Sequence, residues 1–465
     1  MTRKKIFIIF FLILGSTVVL LAGLNDMDSN LHLDYVREIQ EAGRIPVQHP
    51  HLYQSDVSSA PFPYPLGYHL TMAIFPHWVS VYKVLGVLFA GILLILVIKI
   101  SKLFGYKGGL AIITPLALSL SFSRLSITPH PDMFALMLTL TSTYFTLKYI
   151  HEENLLYLAL AVGFGFYAGM TRKIAVVTLP FIWLVLWLKF NEKRRNLLKV
   201  VIPIVLFTGL GYYLVNPIFR GTDLIYPVQG GSDPSAYNWY MTHLSFWSSL
   251  TQGYFMHALG IIIVAFSVFL PLFFTKPQDK TLALVFGGEI LVILILMPST
   301  AGLARYVMFT LPFLTIAYGN HFENSKRWIP ILFLGALIIY PAQGLYLDSE
   351  IPNDFNQITS HLDQNDFVLA REQGQLAYRV GCRAGWTSLF WSGDLYDTFE
   401  NVDRLENFIA THGVTHVLIN KELIVPSDSQ MINGEAVGFP QDWVNEIDNI
   451  GLKIDETKHY VLYEV

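Results

Sequence analysis

Eleven apolar windows, each close to the roughly 17–25 residues a helix needs to cross a bilayer, constrain this chain more than any other feature. They fall at about 5–24, 79–99, 108–124, 132–150, 155–171, 173–189, 199–219, 256–275, 281–298, 303–320 and 328–346. A helix that is apolar on every side must be buried in a large core or in lipid. Charged residues make up 14% of the 465-residue chain and hydrophobic residues 53%, whereas soluble domains carry about 25% charged residues. The expected architecture is an all-α polytopic membrane domain of about eleven transmembrane helices over residues 1–346. The first window follows Arg3-Lys4-Lys5. It exceeds a typical signal-peptide core and no A-x-A site follows, so it reads as a retained signal-anchor helix.

Orientation follows from where Lys and Arg gather. With the N-terminus in the cytoplasm, the inner side carries Arg3, Lys4, Lys5, Lys99, Lys102, Lys107, Lys148, Lys189, Lys193, Arg194, Arg195, Lys199, Lys276, Lys280, Lys326 and Arg327. The outer side keeps only Arg37, Arg44, Lys83, Arg124, Arg172, Lys173, Arg220 and Arg305. Eleven spans then put the C-terminal segment outside. The chain reads as a multi-pass cell-membrane protein, and its net charge of −4 gives no sign of a nucleic-acid partner.

Two outer loops are substantial. In residues 25–78, Asp28 to Ala42 reads as a short amphipathic helix with Leu31, Tyr35, Ile39 and Ala42 on one face. Gly43 stops it, and a Pro-rich turn segment from Pro61 to His69 returns to the membrane. The later loop, 220–255, carries Tyr226, Tyr237, Trp239, Tyr240, Trp247 and Tyr254. Such density suits an interfacial aromatic belt or a sugar-stacking surface. Residues 347–465 have the composition of a small soluble α/β domain, with strands expected at 366–370, 415–419 and 460–465 and helices at 355–362 and 402–411. The single cysteine, Cys382, excludes an intramolecular disulfide and a Cys-based zinc cluster.

Acids beside a membrane are costly unless they pair with cations, bind a metal or take protons. Asp26 and Asp28 directly follow the first window, and Asp28 shares a helical face with His32 four residues on. That arrangement suits a general base or an oxygen-ligated divalent cation; a helix N-cap is the plainer reading of one of the two acids. His130-Pro131-Asp132 lies in a second outer loop, where Asp132 is either a functional acid or another N-cap. Arg124 can pair with Asp132, bind an anion, or snorkel at the interface. Arg172-Lys173 and Arg305-Tyr306 place cations at outer membrane boundaries, at the depth of a lipid-linked phosphate, which Arg binds in a bidentate fork; snorkelling at the interface is the plainer reading of the same residues.

These motifs, taken in order over roughly residues 5–320, resemble the GT-C superfamily of integral-membrane glycosyltransferases, which includes oligosaccharyltransferase catalytic subunits, protein O-mannosyltransferases and aminoarabinose transferases. The resemblance rests on Asp26-Met27-Asp28 after the first span and on Glu41-Ala42-Gly43-Arg44-Ile45-Pro46 ending the outer helix. It continues through Tyr64-Pro65-Leu66-Gly67-Tyr68-His69, Ser123-Arg124 with Pro131-Asp132, Gly169-Met170-Thr171-Arg172-Lys173, and Arg305-Tyr306 with Pro312. No WWDYG-type acceptor motif occurs in the C-terminal segment, and the second acidic loop has one acid where some members have two.

The resemblance implies a GT-C-type fold and inverting transfer of a sugar from a polyprenyl-phosphate donor to a glycan, lipid or protein acceptor. It implies Asp28 or Asp26 as base, Asp132 as a second acid, and Arg305, Lys173 and Arg172 as phosphate-binding cations. His32, His69, His130, Tyr306 and Arg124 would be supporting groups. A Mg2+ or Mn2+ ion would be held by Asp28 and Asp132, with His130 a further donor. A lipid-linked-sugar flippase or transporter, or a non-catalytic scaffold, are the other classes considered. A transporter needs polar groups at mid-membrane depth, for which Glu289 and Asn216 are the main candidates.

Overall fold

A computed structural model describes residues 27–46, 49, 51–53, 66–106, 110–117, 119–189, 199, 276–296, 307–318, 354–386, 395, 398, 402–426 and 438–465. The chain divides into two compact units, and the described residues of the first fall within 64–215 and 253–346.

The first unit is helical. Its elements are α2 (Gly67–Met72), α3 (Val79–Leu103), α4 (Leu110–Ala117), α5 (Leu120–Ile127), α6 (Pro131–Glu152), α7 (Leu155–Thr171), α8 (Lys173–Lys189), α9 (Lys280–Leu296) and α10 (Leu311–Tyr318). Among the described residues, α3 is the one helix both long and apolar enough to cross a membrane by length and composition. The windows at 5–24, 256–275 and 328–346, the window at 199–219 apart from residue 199, and parts of 108–124, 281–298 and 303–320 lie outside the described residues, as does the aromatic loop 220–255.

Expected and observed helices coincide at 155–171 and 173–189. The window at 108–124 does not stay whole: it forms α4 and α5. Pro115 lies inside α4, where it removes a backbone donor. Ser119 then restarts the chain, its Oγ accepting from Phe122 N–H at 3.4 Å.

The α6–α7 hairpin is tight for local reasons. Glu153 takes a left-handed backbone, φ 53°, at the end of α6, and Asn154 caps α7 by accepting from Leu156 N–H at 2.9 Å. Small buried residues Ala161, Gly165 and Ala168 let α7 pack closely. Hydroxyls on α6 turn back onto its own carbonyls, as in Thr139 to Ala135 and Thr143 to Thr139, while Ser142 donates to Ala161 O at 2.7 Å. At the other end of the unit, Asp279 caps α9 by accepting from Thr281 and Leu282 N–H, both at 3.1 Å. Asp279 also receives Lys189 from the end of α8 and Tyr106 from beyond α3.

The second unit joins described residues of 24–63 to those of 347–465. The sequence reading assigned these two stretches to different domains. Helix α1 (Met27–Ala42) belongs here. Gly43 follows it with φ 60°, the conformation that glycine tolerates best. Burial on α1 is wider than the expected stripe: Leu31, Leu33, Tyr35, Val36 and Ile39 are buried, and so are His32 and Asp34, whereas Ala42 is exposed.

The sheet of this unit runs β2 (Arg383–Gly385), β1 (Phe367–Leu369), β3 (His416–Asn420), β7 (Tyr460–Glu464), β6 (Leu452–Glu456) in spatial order. The first three strands are parallel, and β7 and β6 pair antiparallel. A small second sheet pairs β4 (Ile424–Val425) with β5 (Phe439–Pro440). Alternate residues go to opposite faces. Phe367, Leu369, Val417 and Ile419 join one core with Tyr53, Trp386 and Trp443. Val368, Leu418, Tyr460 and Leu462 join the other, with Phe355, Ile358 and Cys382. Burial pushes the Cys382 thiol up to about 12. Three strands were expected, and all three occur; β2, β6 and the β4–β5 pair are additional.

Candidate functional site

Two clusters of buried and half-buried charged side chains, one in each unit, bear on function. In the first unit the local sequence Pro129-His130-Pro131-Asp132 dictates the start of α6. A residue before proline is driven to extended backbone, and His130 has φ −128° and ψ 146°. Pro131 takes the first helical position, where its missing N–H costs nothing. The N-cap is therefore His130, and Asp132 sits inside the first turn. The N-cap alternative for Asp132 is corrected on that ground. A carboxylate in the first turn is favoured by the helix dipole.

Arg172 sits in extended backbone between α7 and α8. Its Nε donates to Asp132 Oδ1 at 2.5 Å and its Nη2 to Oδ2 at 3.2 Å. His130 Nδ1 lies 2.7 Å from Asp132 Oδ2, and His130 Nε2 lies 3.5 Å from Arg172 Nη2. Asp132 and His130 are almost wholly buried and Arg172 is 9% exposed. A buried carboxylate stays charged only when paired and hydrogen-bonded, and this one is both. Among the described residues the cation on Asp132 is Arg172; Arg124 belongs to α5, and its side chain lies outside the described residues.

The Leu66-Gly67-Tyr68-His69 part of the Pro-rich segment packs against the end of α7, next to Arg172. Tyr167 Oη on α7 donates to Gly67 O at 2.9 Å and lies 2.6 Å from Thr71 Oγ1. A Cβ on Gly67 would stand 2.6 Å from Thr171 Oγ1 and 3.0 Å from the Met170 carbonyl, so the residue must be glycine for α2 to approach the end of α7. His69 is buried on α2, with Tyr68 edge-on to it at 5.6 Å.

Of the other residues singled out by sequence, Lys173 opens α8 and Asp28 lies in α1, both with side chains outside the described residues. His32 is buried on α1, one helical turn from Asp28. Asp26, Arg305 and Tyr306 lie outside the described residues.

The second cluster went unnoticed in the sequence. Asp34 and Glu38, one turn apart on α1, meet His49 and His51 from the segment after it. Asp34 Oδ2 is 2.8 Å from His51 Nδ1 and 3.4 Å from His49 Nε2. His51 Nδ1 is 3.7 Å from Glu38 Oε1. Asp34 Oδ1 takes Arg37, which also donates to the Tyr378 and Ala377 carbonyls at 3.0 and 3.2 Å. Burial pulls His49 down to about 4. Burial also acts to lower His51, but the hydrogen bond and charge of Asp34 raise it overall, and burial raises Glu38. Donor atoms of Asp34, Glu38 and His51 all lie within 4.8 Å of one another, so this group can hold a metal ion. The visible signals were an acid pair at i,i+4 and the spacing His49-Pro50-His51.

No protein-family model matches the chain, and no curated protein matches it by sequence. Solved structures do match. ArnT of Cupriavidus metallidurans, crystallised with undecaprenyl phosphate, aligns over 99% of this chain and 97% of its own, with a TM-score of 0.60 and 11% identity. The oligosaccharyltransferase of Archaeoglobus fulgidus in its apo form aligns over 90% of this chain and 69% of its own, with a TM-score of 0.54 and 10% identity. The same archaeal enzyme, AglB, in complex with an inhibitory peptide and a dolichol-phosphate, aligns with a TM-score of 0.51 and 11% identity. The fold is that of the GT-C glycosyltransferases.

Proposed function

We propose that this chain is a membrane glycosyltransferase that moves a sugar from a polyprenyl-phosphate donor to an acceptor on the extracytoplasmic side, with inversion at the sugar. The observation that carries this reading is the near end-to-end likeness, 99% of this chain and 97% of the other, to a structure holding undecaprenyl phosphate. The archaeal structure with a dolichol-phosphate and a peptide supports a lipid-phosphate donor and an acceptor as the two substrates.

In the proposed reaction the acceptor heteroatom attacks the anomeric carbon. The bond from that carbon to the phosphate oxygen breaks, and polyprenyl phosphate leaves. The acceptor proton passes to the carboxylate of Asp28, or of Asp26, acting as general base. Arg305 and Lys173 offset the phosphate charge as it develops. Arg172 is held by Asp132, which fixes the plane of its guanidinium; Asp132 is in this respect a positioning residue. Breaking the sugar–oxygen bond of the singly charged phosphodiester releases polyprenyl phosphate as its dianion, which is stable near neutral pH because its second pKa is about 6, so no strong general acid is needed.

Both oxygens of Asp132 are engaged by Arg172 and His130, which fits an ion-pair partner better than a Mg2+ or Mn2+ ligand.

The test uses membranes carrying wild type or Asp28→Asn at matched abundance, given radiolabelled polyprenyl-phospho-hexoses and -pentoses. Wild type is expected to transfer label to an acceptor and release polyprenyl phosphate, and Asp28→Asn to lose that transfer. Equal product from the variant would remove Asp28 as base. Movement of the lipid-linked sugar across the bilayer without its consumption would replace the transferase reading with a flippase.

A further inference from the structure

We infer that Asp34, Glu38, His49 and His51 form a four-ligand site for a zinc-class divalent cation, which clamps helix α1 to the edge of the C-terminal sheet. This goes beyond the transferase reading and does not depend on it. The four side chains come from two directions. Asp34 and Glu38 share a face of α1 at i,i+4, and His49 and His51 flank Pro50 on the returning chain.

The separations suit a small tetrahedral ion. With ligand distances of about 2.0–2.1 Å, neighbouring donors in a tetrahedron stand roughly 3.3–3.4 Å apart. Here His49 Nε2 to Asp34 Oδ2 is 3.4 Å, His51 Nδ1 to Glu38 Oε1 is 3.7 Å, and His51 Nδ1 to Asp34 Oδ2 is 2.8 Å. Asp34, Glu38 and His51 already place one donor each within 4.8 Å of one another, and His49, beside Asp34, turns in to complete the shell.

Donor chemistry selects the ion. Two imidazoles and two carboxylates make a nitrogen–oxygen set, which zinc accepts readily and which magnesium and calcium, seeking oxygen alone, do not. The surroundings are those of a supported metal site. Arg37 holds the other oxygen of Asp34, an outer contact of the kind that orients a ligating carboxylate. The side chains of Asp34 and His49 are fully buried, whereas those of His51 and Glu38 are 21% and 18% exposed, which leaves an entry path on their side. Binding rearranges the hydrogen bonds of both histidines. The 2.8 Å hydrogen bond between His51 Nδ1 and Asp34 Oδ2 gives way to bonds from each atom to the ion. His49 Nδ1 lies 3.3 Å from the His51 backbone nitrogen, and zinc at Nε2 needs the tautomer protonated at Nδ1, so this long contact is given up as well.

The consequence is mechanical. His51 O accepts from Ala384 N–H and Tyr53 N–H donates to Ala384 O, both at 2.8 Å, which adds residues 51–53 to the edge of β2. An ion shared by α1 and His51 therefore ties the helix that bears Asp28 and His32 to the sheet.

The test uses the purified full-length chain in detergent, stripped with chelator and dialysed. Elemental analysis after ZnCl2 addition and desalting should find about one zinc per chain, the content of a single structural site. Zinc should raise the unfolding temperature, and CoCl2 in its place should give the visible absorption of tetrahedral cobalt. His51→Asn and Glu38→Gln should lose the bound metal and the temperature shift. A monodisperse wild type that retains no zinc and shows neither shift nor cobalt band overturns the inference whatever the variants do. Retention of stoichiometric zinc by a folded His51→Asn chain overturns it as well.

Discussion

Arg172 closes a two-pronged fork on Asp132 across forty residues of sequence: Nε to Oδ1 at 2.5 Å and Nη2 to Oδ2 at 3.2 Å. Both groups are buried. Such a pair adds little net stability over an apolar pair, but removing one partner strands the other, at about 3–5 kcal/mol. Arg172→Met and Asp132→Asn should each lower the unfolding midpoint of the detergent-solubilised chain markedly. The double variant should fall by clearly less than the two losses together, because no charge is left alone. Thermal melts of the four proteins close the cycle. Strict additivity would show that the two groups act independently.

Gly67 faces the end of α7 at a distance that excludes a side chain. A Gly67→Ala methyl would meet Thr171 Oγ1 at 2.6 Å and Met170 O at 3.0 Å. Overpacking of this kind costs about 1–3 kcal/mol. Adding Thr171→Ala removes the nearer contact and leaves the backbone one, so partial recovery of the melting temperature is expected. No loss in Gly67→Ala would show that α2 moves away freely.

The helices and the second cluster were unequally legible in the sequence. Helices α7 and α8 matched their windows because each is apolar throughout and their ends are punctuated by Asn154 and Arg172. Asp132 and Arg172 were both placed on the outer side, yet Asp132 was offered Arg124, its neighbour in sequence. An α6–α7 hairpin brings the start of one helix to the end of the other, so the Arg172 contact is set by helix pairing and not by proximity in the chain. Strand β6 was missed because it is a mostly exposed edge strand containing Lys453, Asp455 and Glu456, which carries little apolar signal. The His49-Pro50-His51 spacing was visible, but its meaning depends on the chain folding back onto Asp34 and Glu38. No local pattern encodes that return.

Asp354 gives the C-terminal unit a pH-dependent contact. Its oxygens accept from His459 N–H and meet His459 Nδ1, both at 2.9 Å. Burial acts to raise this carboxyl, but hydrogen bonds from Thr457 and His459 outweigh it and hold it down to about 2. A carboxyl depressed in the folded state stabilises above its unfolded value, near 3.9, and loses that contribution as pH falls through about 2. Hydrogen exchange in β7 should therefore be faster in Asp354→Asn than in wild type at neutral pH, and the difference should close between about pH 4 and pH 2. A gap that persists at pH 2 would assign the effect to shape and not to charge.

Asp279 does two jobs, which two substitutions separate. Its Oδ1 caps α9 through Thr281 and Leu282 N–H, and its Oδ2 receives Lys189 and Tyr106. Asparagine is as good a cap as aspartate but carries no charge, so Asp279→Asn removes the ion pair and keeps the cap. Alanine removes both, and loss of a cap alone costs about 1 kcal/mol. The melting temperature should fall in the order wild type, Asp279→Asn, Asp279→Ala. Lys189→Met should approach the asparagine variant, since it breaks the same pair from the other side. If asparagine and alanine fall equally, the cap contributes nothing and the ion pair alone holds the ends of α8 and α9.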